Sequence, residues 1–544
     1  MNVFQHSGYV LDLRTHPGQV ANARQAATGV LTALKIPVVF GRVCQARHVH
    51  KSRVMQKLYL AVDMGLTSVR VMWGALQDGR ITMGEAGQFE NVPLQGKGGF
   101  QWNIPEIYRG ITEAMCQMGV QEVGVNGVSC HSWSSDFMLF SKDGSVLTPV
   151  SRRIDSDDLS GMEKVNELVK WEELYEETGV QRLPGNTLFQ LANESSRRLT
   201  RADQLMPMAD GINYLFSGVR SVEASLASAT QVFNPRANSW SPFLMKALGL
   251  PSELFPQVVK SGTKLGLLRP ELVKETKLED ARVVATCSNE FANALASLPV
   301  AEGEDWAYLR LGREAVVGTQ IPDPLINDVT RELGYSNEVC LGGTNFFKRA
   351  PGLWILDECR RYWTEHDREL CGDILLHLAT TCPAFESLIN PDDARFSEPG
   401  DMPAKVQAYC RETEQEVPRK PGQIVRCVLE SLALYYRKVV QETGALTGRR
   451  FSRYYLFGGG ENMLLNHLIT NALQAPVVLV SPDAAPIGNI LIQAQALGHI
   501  QSPIQARDIV RESFKSNIII PHHVDWDGAY NRFVELAGCT PATA

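Results

Sequence analysis

Three features that would indicate other classes of protein are missing from this sequence of 544 residues. Its 11 cysteines include no CxxC pair and no regular framework, so they indicate neither a zinc site nor a disulfide scaffold. No apolar run approaches the roughly 20 residues that cross a bilayer. A net charge of -7 disfavours a nucleic-acid partner, because phosphate-binding surfaces need a basic excess. We therefore expect a globular protein of a reducing, cytoplasmic compartment, with no membrane partner.

The first 54 residues differ in charge from the rest of the chain, since they contain seven Lys or Arg and one acid. A targeting peptide is one explanation, because such segments are rich in Arg and poor in acids. A leader placed before a natural start at Met55 is the other, and we favour it. The remaining length predicts several domains or two large ones.

Alternating strand and turn signals begin at Leu58. The stretches "LYLAVDMG" and "SVRVMWGALQDG" predict two strands joined by a glycine turn, followed by a third strand, a helix near Ile104 and a strand ending at Cys130. The same strand, glycine turn and strand recur at 305–320, and further strands and helices follow at 452–497. The sequence thus predicts an α/β protein with two related halves that face each other across a cleft.

Two glycine turns are candidate ligand sites. In "DMGLTSVR", Gly65 permits a tight turn whose amides, with the hydroxyls of Thr67 and Ser68, can surround a phosphate. Asp63 at the strand end can hold Mg²⁺ through water, since this ion prefers oxygen ligands. A plain hairpin with a polar tip explains the same residues. In "LFGGGENMLLN", the three glycines from 458 permit close approach of a flat ligand such as adenine.

One acid, Glu290, lies in "VVATCSNEFANALASLP", which predicts a strand, a polar turn and the start of a helix. The carboxylate can stabilise the helix start through the helix dipole, worth about 0.3–1 kcal/mol. It can also accept a proton from a substrate hydroxyl as a general base. Spacing alone favours the first role.

From about Leu58 to Leu497 the chain resembles the FGGY family of carbohydrate kinases, and within it the rhamnulokinase-like members. The resemblance rests on "AVDMGLTSVRVM", "GVQRLPGNTLFQL", "GLWILDECRR", "INPDDARF" and "FGGGENMLLN". It implies two ribonuclease H-like domains of the actin and hexokinase type around a central cleft. The implied divisions are a leader at 1–56, a sugar-binding domain at 57–298, an ATP-binding domain at 299–515 and a tail at 516–544.

The activity that this resemblance implies is ATP-dependent phosphorylation of a ketose, such as L-rhamnulose at O1, by a monomer or homodimer with Mg²⁺. Phosphoryl transfer requires mainly positioning and charge neutralisation. Glu290 would be the base and Asp63 would serve Mg²⁺. The residues implied to bind ATP and its phosphates are Leu66, Thr67, Ser68, Arg70, Gly312, Arg313, Gly459 and Gly460. The residues implied to contact the sugar are Trp133, Ser134, Asp136, Asn289 and Asn337.

Two departures from the family pattern affect the chemistry directly. The family's base is an aspartate in "SHDTAxA", and the matching stretch here is "SNEFANA", so the carboxylate of Glu290 extends about 1.5 Å further. The family's second phosphate loop, "SSGTWS", is "RLGREA" here. Arg313 therefore replaces a threonine and can bind phosphate, whereas Glu314 can repel it or form a salt pair with Arg313.

Two further departures concern the presumed sugar and adenine sites. The family's "DTWGVD" is "HSWSSD", which places Ser134 where a glycine admits the sugar, while Asp136 is retained. For His131 we expect a solvated or packed side chain without a metal. The glycine triplet lies one residue closer to Asn462 than in the family. Two hypotheses follow: an active sugar kinase that uses Glu290, which we favour, or a pseudokinase that binds sugar or nucleotide without turnover.

Overall fold

The computed structural model describes residues 56–120, 124–154, 158–366, 373–459, 462–522 and 525–538. The predicted leader, apart from Gln56, and Gly460 lie outside the described residues. Among the described residues, no helix is long and apolar enough to span a membrane.

The N-terminal half is built on a six-stranded sheet of order β14-β15-β6-β1-β2-β3, in which β1 pairs antiparallel with β2 and parallel with β6. The helix predicted near Ile104 is confirmed as the long helix of this half. The strands are β1 Lys57–Met64, β2 Ser68–Gln77, β3 Arg80–Glu90, β4 Leu94–Gly96, β5 Gly99–Trp102, β6 Val125–Ser132, β7 Phe137–Phe140, β8 Val150–Ser151, β9 Gln204–Pro207, β10 Ser221–Glu223, β11 Phe233–Asn234, β12 Ser239–Trp240, β13 Gln257–Val259, β14 Thr263–Leu267 and β15 Arg282–Ala285. The helices are α1 Ile104–Val120, α2 Ser160–Leu168, α3 Trp171–Thr178, α4 Thr187–Ala192, α5 Ser196–Arg201, α6 Met208–Ser217, α7 Ala224–Ala229, α8 Pro242–Ala247, α9 Pro270–Thr276 and α10 Glu290–Ala296.

The C-terminal half repeats this plan in a seven-stranded sheet of order β18-β19-β17-β16-β20-β21-β22. Here β16 pairs antiparallel with β17 and parallel with β20, as β1 does with β2 and β6. The predicted pair of related α/β halves is therefore confirmed. The strands are β16 Trp306–Arg310, β17 Glu314–Ile321, β18 Tyr335–Cys340, β19 Gly343–Pro351, β20 Arg453–Phe457, β21 Val477–Leu479 and β22 Asn517–Ile519. The helices are α11 Asp328–Glu332, α12 Trp354–His366, α13 Asp373–Thr380, α14 Met402–Glu412, α15 Pro421–Thr447, α16 Met463–Leu473, α17 Ala484–Ala496, α18 Pro503–Ser513 and α19 Trp526–Leu536.

The segment predicted as a tail, 516–544, contributes to the second sheet. Its strand β22 pairs antiparallel with β21, so Val478 lies opposite Ile518. Phe533 of α19 is fully buried in the core of the C-terminal half. A division at 515 would therefore separate a strand from its own sheet.

Helices α10 and α17 cross closely between the two sheets. Helix α17 belongs to the C-terminal half by sequence, yet Ile487 and Ile490 pack with Tyr59 and Met72 of the first sheet in one buried cluster. Gly488 lies at the crossing of the helices.

We expect Gly488→Ala to destabilise the protein by about 2 kcal/mol, because overpacking of a tight contact costs about 1–3 kcal/mol. A Cβ at Gly488 would lie 1.9 Å from the backbone oxygen of Asn293 on α10. Urea unfolding followed by tryptophan fluorescence measures the change. Gly98→Ala is the control, since a Cβ at Gly98 meets open space. Equal unfolding midpoints for the two variants would contradict the tight crossing.

Candidate active site

Glu290 is the first residue of α10, but it does not cap the helix. The cap is Asn289, whose Oδ1 accepts hydrogen bonds from the amides of Phe291 at 2.9 Å and Ala292 at 3.4 Å. The side chain of Glu290 is exposed and forms no hydrogen bond or ion pair with the described residues. Its carboxylate is therefore free to accept a proton.

The surroundings of Glu290 raise the pKa of its carboxyl group above the ordinary value of 4.5. Loss of hydration is the main cause, and the charge of Asp63 adds to it, whereas His131, Arg310 and Arg70 act in the opposite direction. An exposed carboxyl that is nevertheless partly dehydrated lines a cleft rather than an open surface. A general base is most effective when its pKa approaches the working pH, so this shift suits proton abstraction.

Asp63 ends β1 beside Glu290, and both of its carboxylate oxygens accept hydrogen bonds. Its Oδ2 accepts from Arg70 Nη2 at 2.6 Å and Nε at 3.1 Å, while His131 Nε2 lies 3.2 Å from Oδ1. Burial alone would raise the pKa of Asp63, but His131 and Arg70 outweigh it and hold the pKa at about 2. Arg70 also bonds Asp483 Oδ1 at 2.8 Å, so it connects β2 to the residue before α17. Arg70, predicted to handle phosphate, is thus already paired with two carboxylates.

A chain of buried amides fixes the proton on His131. Gln493 Nε2 donates to the carbonyl oxygen of Leu60 at 2.8 Å and to Asn489 Oδ1 at 2.7 Å, which identifies the nitrogen of each amide. Asn489 Nδ2 then donates to His131 Nδ1 at 3.0 Å. Because Nδ1 accepts, the remaining proton of a neutral ring is on Nε2 and faces Asp63. His131 is fully buried, so of the two predicted alternatives the packed one is found, with specific partners.

A direct bond between Asp63 and Mg²⁺ does not fit this arrangement. Mg²⁺ requires free oxygen ligands in nearly octahedral geometry, and both oxygens of Asp63 face N–H donors. The family's "DTWGVD" has a carboxylate where His131 stands, so this chain has one acid fewer here. Within the part of the chain that the structure describes, no three His, Cys, Asp or Glu side chains are grouped as metal ligands. The contact through water remains a prediction.

The first predicted phosphate turn joins β1 to β2 in a fixed conformation. The amide of Gly65 donates to the oxygen of Ser68 at 2.9 Å, and the amide and side chain of Asn91 bond Thr67 and Gly65, each at 2.9 Å. The hydroxyls of Thr67 and Ser68 have no partner among the described residues, and Thr67 is exposed. Leu66, which precedes Thr67, is partly buried against the core. The turn therefore presents two free hydroxyls, as phosphate binding requires.

In the second predicted phosphate turn, between β16 and β17, Arg313 and Glu314 do not form the salt pair that was one of the two alternatives. Glu314 bonds Arg349 at 3.1 Å, and the guanidinium of Arg313 lies over the ring of Trp354 at 4.1 Å. The two charges therefore contact different partners. The oxygen of Gly312 accepts from the amide of Leu353 at 2.9 Å, which fixes the turn.

The glycine-rich turn after β20 lies against this second phosphate turn. Gly458 has φ 73°, and a Cβ there would lie 2.5 Å from the oxygen of Leu311, so both conformation and space require glycine. The oxygen of Gly459 accepts from the side chain of Asn466. Asn462 still caps α16, since its Oδ1 accepts from the amide of Leu465 at 3.0 Å. The shortened spacing therefore does not prevent the helix from starting at this point.

Of the side chains predicted to contact the sugar, some are accessible and others already have hydrogen-bond partners within the fold. Ser134 is partly exposed, whereas Trp133 is buried and donates from Nε1 to Asp136 Oδ2 at 3.2 Å. Asp136 Oδ2 also accepts from Trp102 Nε1 at 2.8 Å, and its Oδ1 accepts from the backbone of Arg153 at 3.1 Å. Asp136 therefore anchors two indoles rather than offering a free oxygen to a sugar.

Both polar atoms of Asn337, another predicted sugar residue, have partners within the fold. Its Oδ1 accepts from the amide of Leu325 at 2.8 Å, and its Nδ2 donates to the oxygens of Leu325 at 3.2 Å and Gly179 at 3.3 Å. A direct contact of this amide with the sugar stays a prediction. Asn289, which caps α10, lies 3.4 Å from Glu338 Oε2 through its Nδ2.

The motif "LPGNTLFQL" supports the loop that contains Ser134. Thr187 Oγ1 donates to the oxygen of Ser135 at 2.6 Å, and Gln190 Nε2 donates to the same oxygen at 3.2 Å. Ser135 has φ 88°, a left-handed value that is unfavourable for a residue with a side chain. Such strain persists only where neighbours impose it, and it concentrates at functional loops.

Two buried acids that the sequence reasoning missed position the turn before Glu290. Glu223 Oε2 accepts from the amides of Ser288 and Ser225, each at 2.9 Å, and from the hydroxyl of Ser225. Ser225 Oγ in turn accepts from the amide of Asn289 at 3.0 Å, and Asp210 Oδ1 accepts from Ser288 Oγ at 2.8 Å. The sequence does contain a signal for these two acids, because each lies in an apolar segment, "MADGINYLF" for Asp210 and "SVEASLASA" for Glu223.

Burial raises the pKa of both acids, and the charge of Glu223 raises that of Asp210 further, well above its ordinary value. Glu223 accepts more hydrogen bonds at this turn than Asp210 does. Together they fix the position from which α10 begins.

Comparison with known proteins agrees with this architecture. The family descriptions that match are "FGGY family of carbohydrate kinases, N-terminal domain" over residues 58–296 and the corresponding C-terminal domain over residues 307–497. The chain is 34% identical over 491 residues to a rhamnulokinase of Bacteroides thetaiotaomicron, covering 88% of this chain and 99% of that protein. It is 32% identical to a rhamnulokinase of Enterococcus faecalis, covering 87% and 96% respectively.

Solved structures share the fold at lower identity. A xylulose kinase from Rhodospirillum rubrum superposes with a TM-score of 0.71 at 16% identity, covering 89% of this chain and 98% of that one. A gluconate kinase from Lactobacillus acidophilus has a TM-score of 0.70 at 15% identity, covering 89% and 96%. With both domains matched in order and relatives matched over nearly their whole length, this chain belongs to the FGGY family of carbohydrate kinases.

Proposed function

We propose that this protein transfers the terminal phosphoryl group of ATP to a ketose, with L-rhamnulose at O1 as the first candidate. The observation that carries the proposal is the carboxylate of Glu290, which is exposed, has no partner among the described residues and has a raised pKa. The identity to rhamnulokinases, 34% and 32% in the two compared above, supports the choice of sugar.

In this mechanism the chain's own residues position the reactants and move one proton. The turn at Thr67 and Ser68 donates hydrogen bonds to phosphate oxygens, and the turn at Gly458 and Gly459 admits the adenine. Glu290 accepts the proton of the attacking hydroxyl, whose oxygen then bonds the phosphorus as the bond to ADP breaks. Mg²⁺ would arrive bound to the ATP phosphates, and no step here depends on Asp63 as its direct ligand.

The test is ADP release with ATP and a panel of L-rhamnulose, L-fuculose and D-xylulose, paired with calorimetry of ATP binding. We expect turnover with at least one ketose and the highest kcat/KM for rhamnulose. Preference for another ketose would change the substrate but retain the reaction. ATP or sugar binding without ADP release from any ketose would contradict the proposal and indicate a pseudokinase.

A further inference from the structure

Arg310 is a cation of the cleft that the sequence reasoning did not single out. It is the last residue of β16, its side chain is exposed, and its guanidinium lies over the ring of Phe291 at 5.2 Å. Within the described ranges it forms no hydrogen bond and no ion pair. By contrast, Arg70 is paired with Asp63 and Asp483.

The position of Arg310 beside the base is shown by its neighbours. Phe291 directly follows Glu290 in α10, and the positive charge of Arg310 lowers the pKa of Glu290 and of Glu338. Neither carboxylate forms an ion pair with Arg310. An exposed guanidinium near two acids, but bonded to neither, retains all five N–H donors for another partner.

The backbone that carries Arg310 is held in place on the nucleotide side of the cleft. The next residue, Leu311, donates from its amide to the oxygen of Phe457 at 3.0 Å, and its own oxygen lies against Gly458. Arg310 therefore neighbours both the residue after Glu290 and the end of the strand that meets the glycine turn. A phosphoryl group that moves from a nucleotide at this turn to a hydroxyl at Glu290 would pass close to its side chain.

We propose that Arg310 binds the phosphoryl group as it is transferred, an inference that rests on the proposed function. The ketose O–H gives its proton to Glu290, its oxygen forms a bond to the γ-phosphorus, and the bond between that phosphorus and ADP breaks with its electron pair on ADP. Arg310 donates hydrogen bonds to the oxygens of the moving group. Guanidinium suits this role because it is planar and always charged.

This role also explains a departure from the family pattern. In "SSGTWS" the position of Arg310 is a serine, and the carboxylate of "DTWGVD" is His131 here. Compared with the family pattern, the site thus has one acid fewer next to Asp63 and one cation more near Glu290. Arginines that contact a transferring phosphoryl group contribute large rate factors in other phosphotransferases.

The experiment compares Arg310→Met and Arg310→Lys with the parent protein, using the ketose that gives turnover. We expect Arg310→Met to lower kcat about 100-fold and weaken ATP binding about tenfold by calorimetry. ADP affinity and KM for the sugar should not change, and Arg310→Lys should recover part of kcat. The unfolding temperature should change little, because the side chain of Arg310 forms no hydrogen bond or ion pair with the described residues. Arg282→Met is the matched control, since Arg282 is also an exposed arginine on a strand, β15, and its side chain forms no hydrogen bond or ion pair with those residues.

Unchanged kcat and unchanged ATP affinity in Arg310→Met would overturn the inference, and so would equal losses for ATP and ADP. If the parent protein released no ADP from any ketose, the proposed function would fail on its own. The ratio of ATP to ADP affinity in Arg310→Met would then still decide whether Arg310 binds the terminal phosphate.

Discussion

Glu290→Gln should lower kcat by about 10³-fold while leaving ATP and sugar binding close to those of the parent protein. A positioned general base contributes roughly 10²–10⁴-fold, and glutamine keeps the shape of the side chain but cannot accept the proton. We expect ADP production to fall by this factor, while calorimetry still detects binding of ATP and of the sugar. Turnover within threefold of the parent would show that another group takes the proton.

The pH dependence gives a second measurement on Glu290. Its pKa in the folded protein lies above the ordinary 4.5, so kcat/KM should rise with pH through that raised value, and the rise should be absent in Glu290→Gln. The stability of the fold depends on pH in the opposite direction to kcat/KM. The protonated form stabilises the fold at low pH, and this contribution is lost as pH rises through the raised pKa. Glutamine resembles the protonated form, so the variant should unfold at the same or a higher temperature at neutral pH.

A matched control distinguishes the loss of a general base from the loss of any acid at the start of a helix. Glu271 also lies in the first turn of a helix, α9, and is exposed. Glu271→Gln removes an equivalent interaction with the helix dipole, worth at most about 1 kcal/mol, without affecting the cleft. Loss of activity in both variants would indicate an effect on folding rather than on proton transfer.

Glu223→Ala should destabilise the protein by about 3 kcal/mol and lower kcat about 100-fold. The substitution leaves the amides of Ser288 and Ser225 and the hydroxyls of Ser225 and Ser261 without their acceptor, and each of the two buried amides left unpaired costs about 1–3 kcal/mol. The start of α10 then loses its support, and a displacement of about 1 Å of the base is enough for such a loss in rate. KM for ATP should stay unchanged, because these bonds do not involve the nucleotide turns.

Glu223→Gln is the informative comparison. Its amide oxygen can accept the three bonds to Oε2, and its NH₂ group can face the hydroxyl of Ser261, which Glu223 Oε1 bonds at 2.5 Å. We therefore expect kcat within about fivefold of the parent. A glutamine variant as impaired as the alanine variant would mean that the charge of Glu223, and not its bonds to the turn, is required.

The sequence predicted most of the scaffold, because the signals that define it are local. Alternating strands around Gly65 and the strand, turn and helix around Glu290 follow from neighbouring residues, and the structure confirms them. The repeat of this pattern at 305–320 was enough to predict two related halves.

The site was harder to predict, because its side chains meet across long intervals of sequence. Spacing does not show that Arg70 would bond Asp483, 413 residues away, or that Asn489 would orient His131, 358 residues away. Even neighbours in sequence were not enough, since Arg313 and Glu314 suggested a salt pair but contact Trp354 and Arg349 respectively. The types of residue were enough to predict candidate site residues, whereas the fold determines which of their side chains are already bonded to other parts of the protein.

The packing of α17 against β1 has a consequence for synthesis on the ribosome. The strand face bearing Tyr59 and Met72 is made early, yet its apolar cover, Ile487 and Ile490, is translated more than 400 residues later. A nascent chain therefore exposes that hydrophobic face until residues 487–490 have left the ribosome. The N-terminal half can bury the face only after α17 has been translated, and until then the exposed apolar surface favours aggregation.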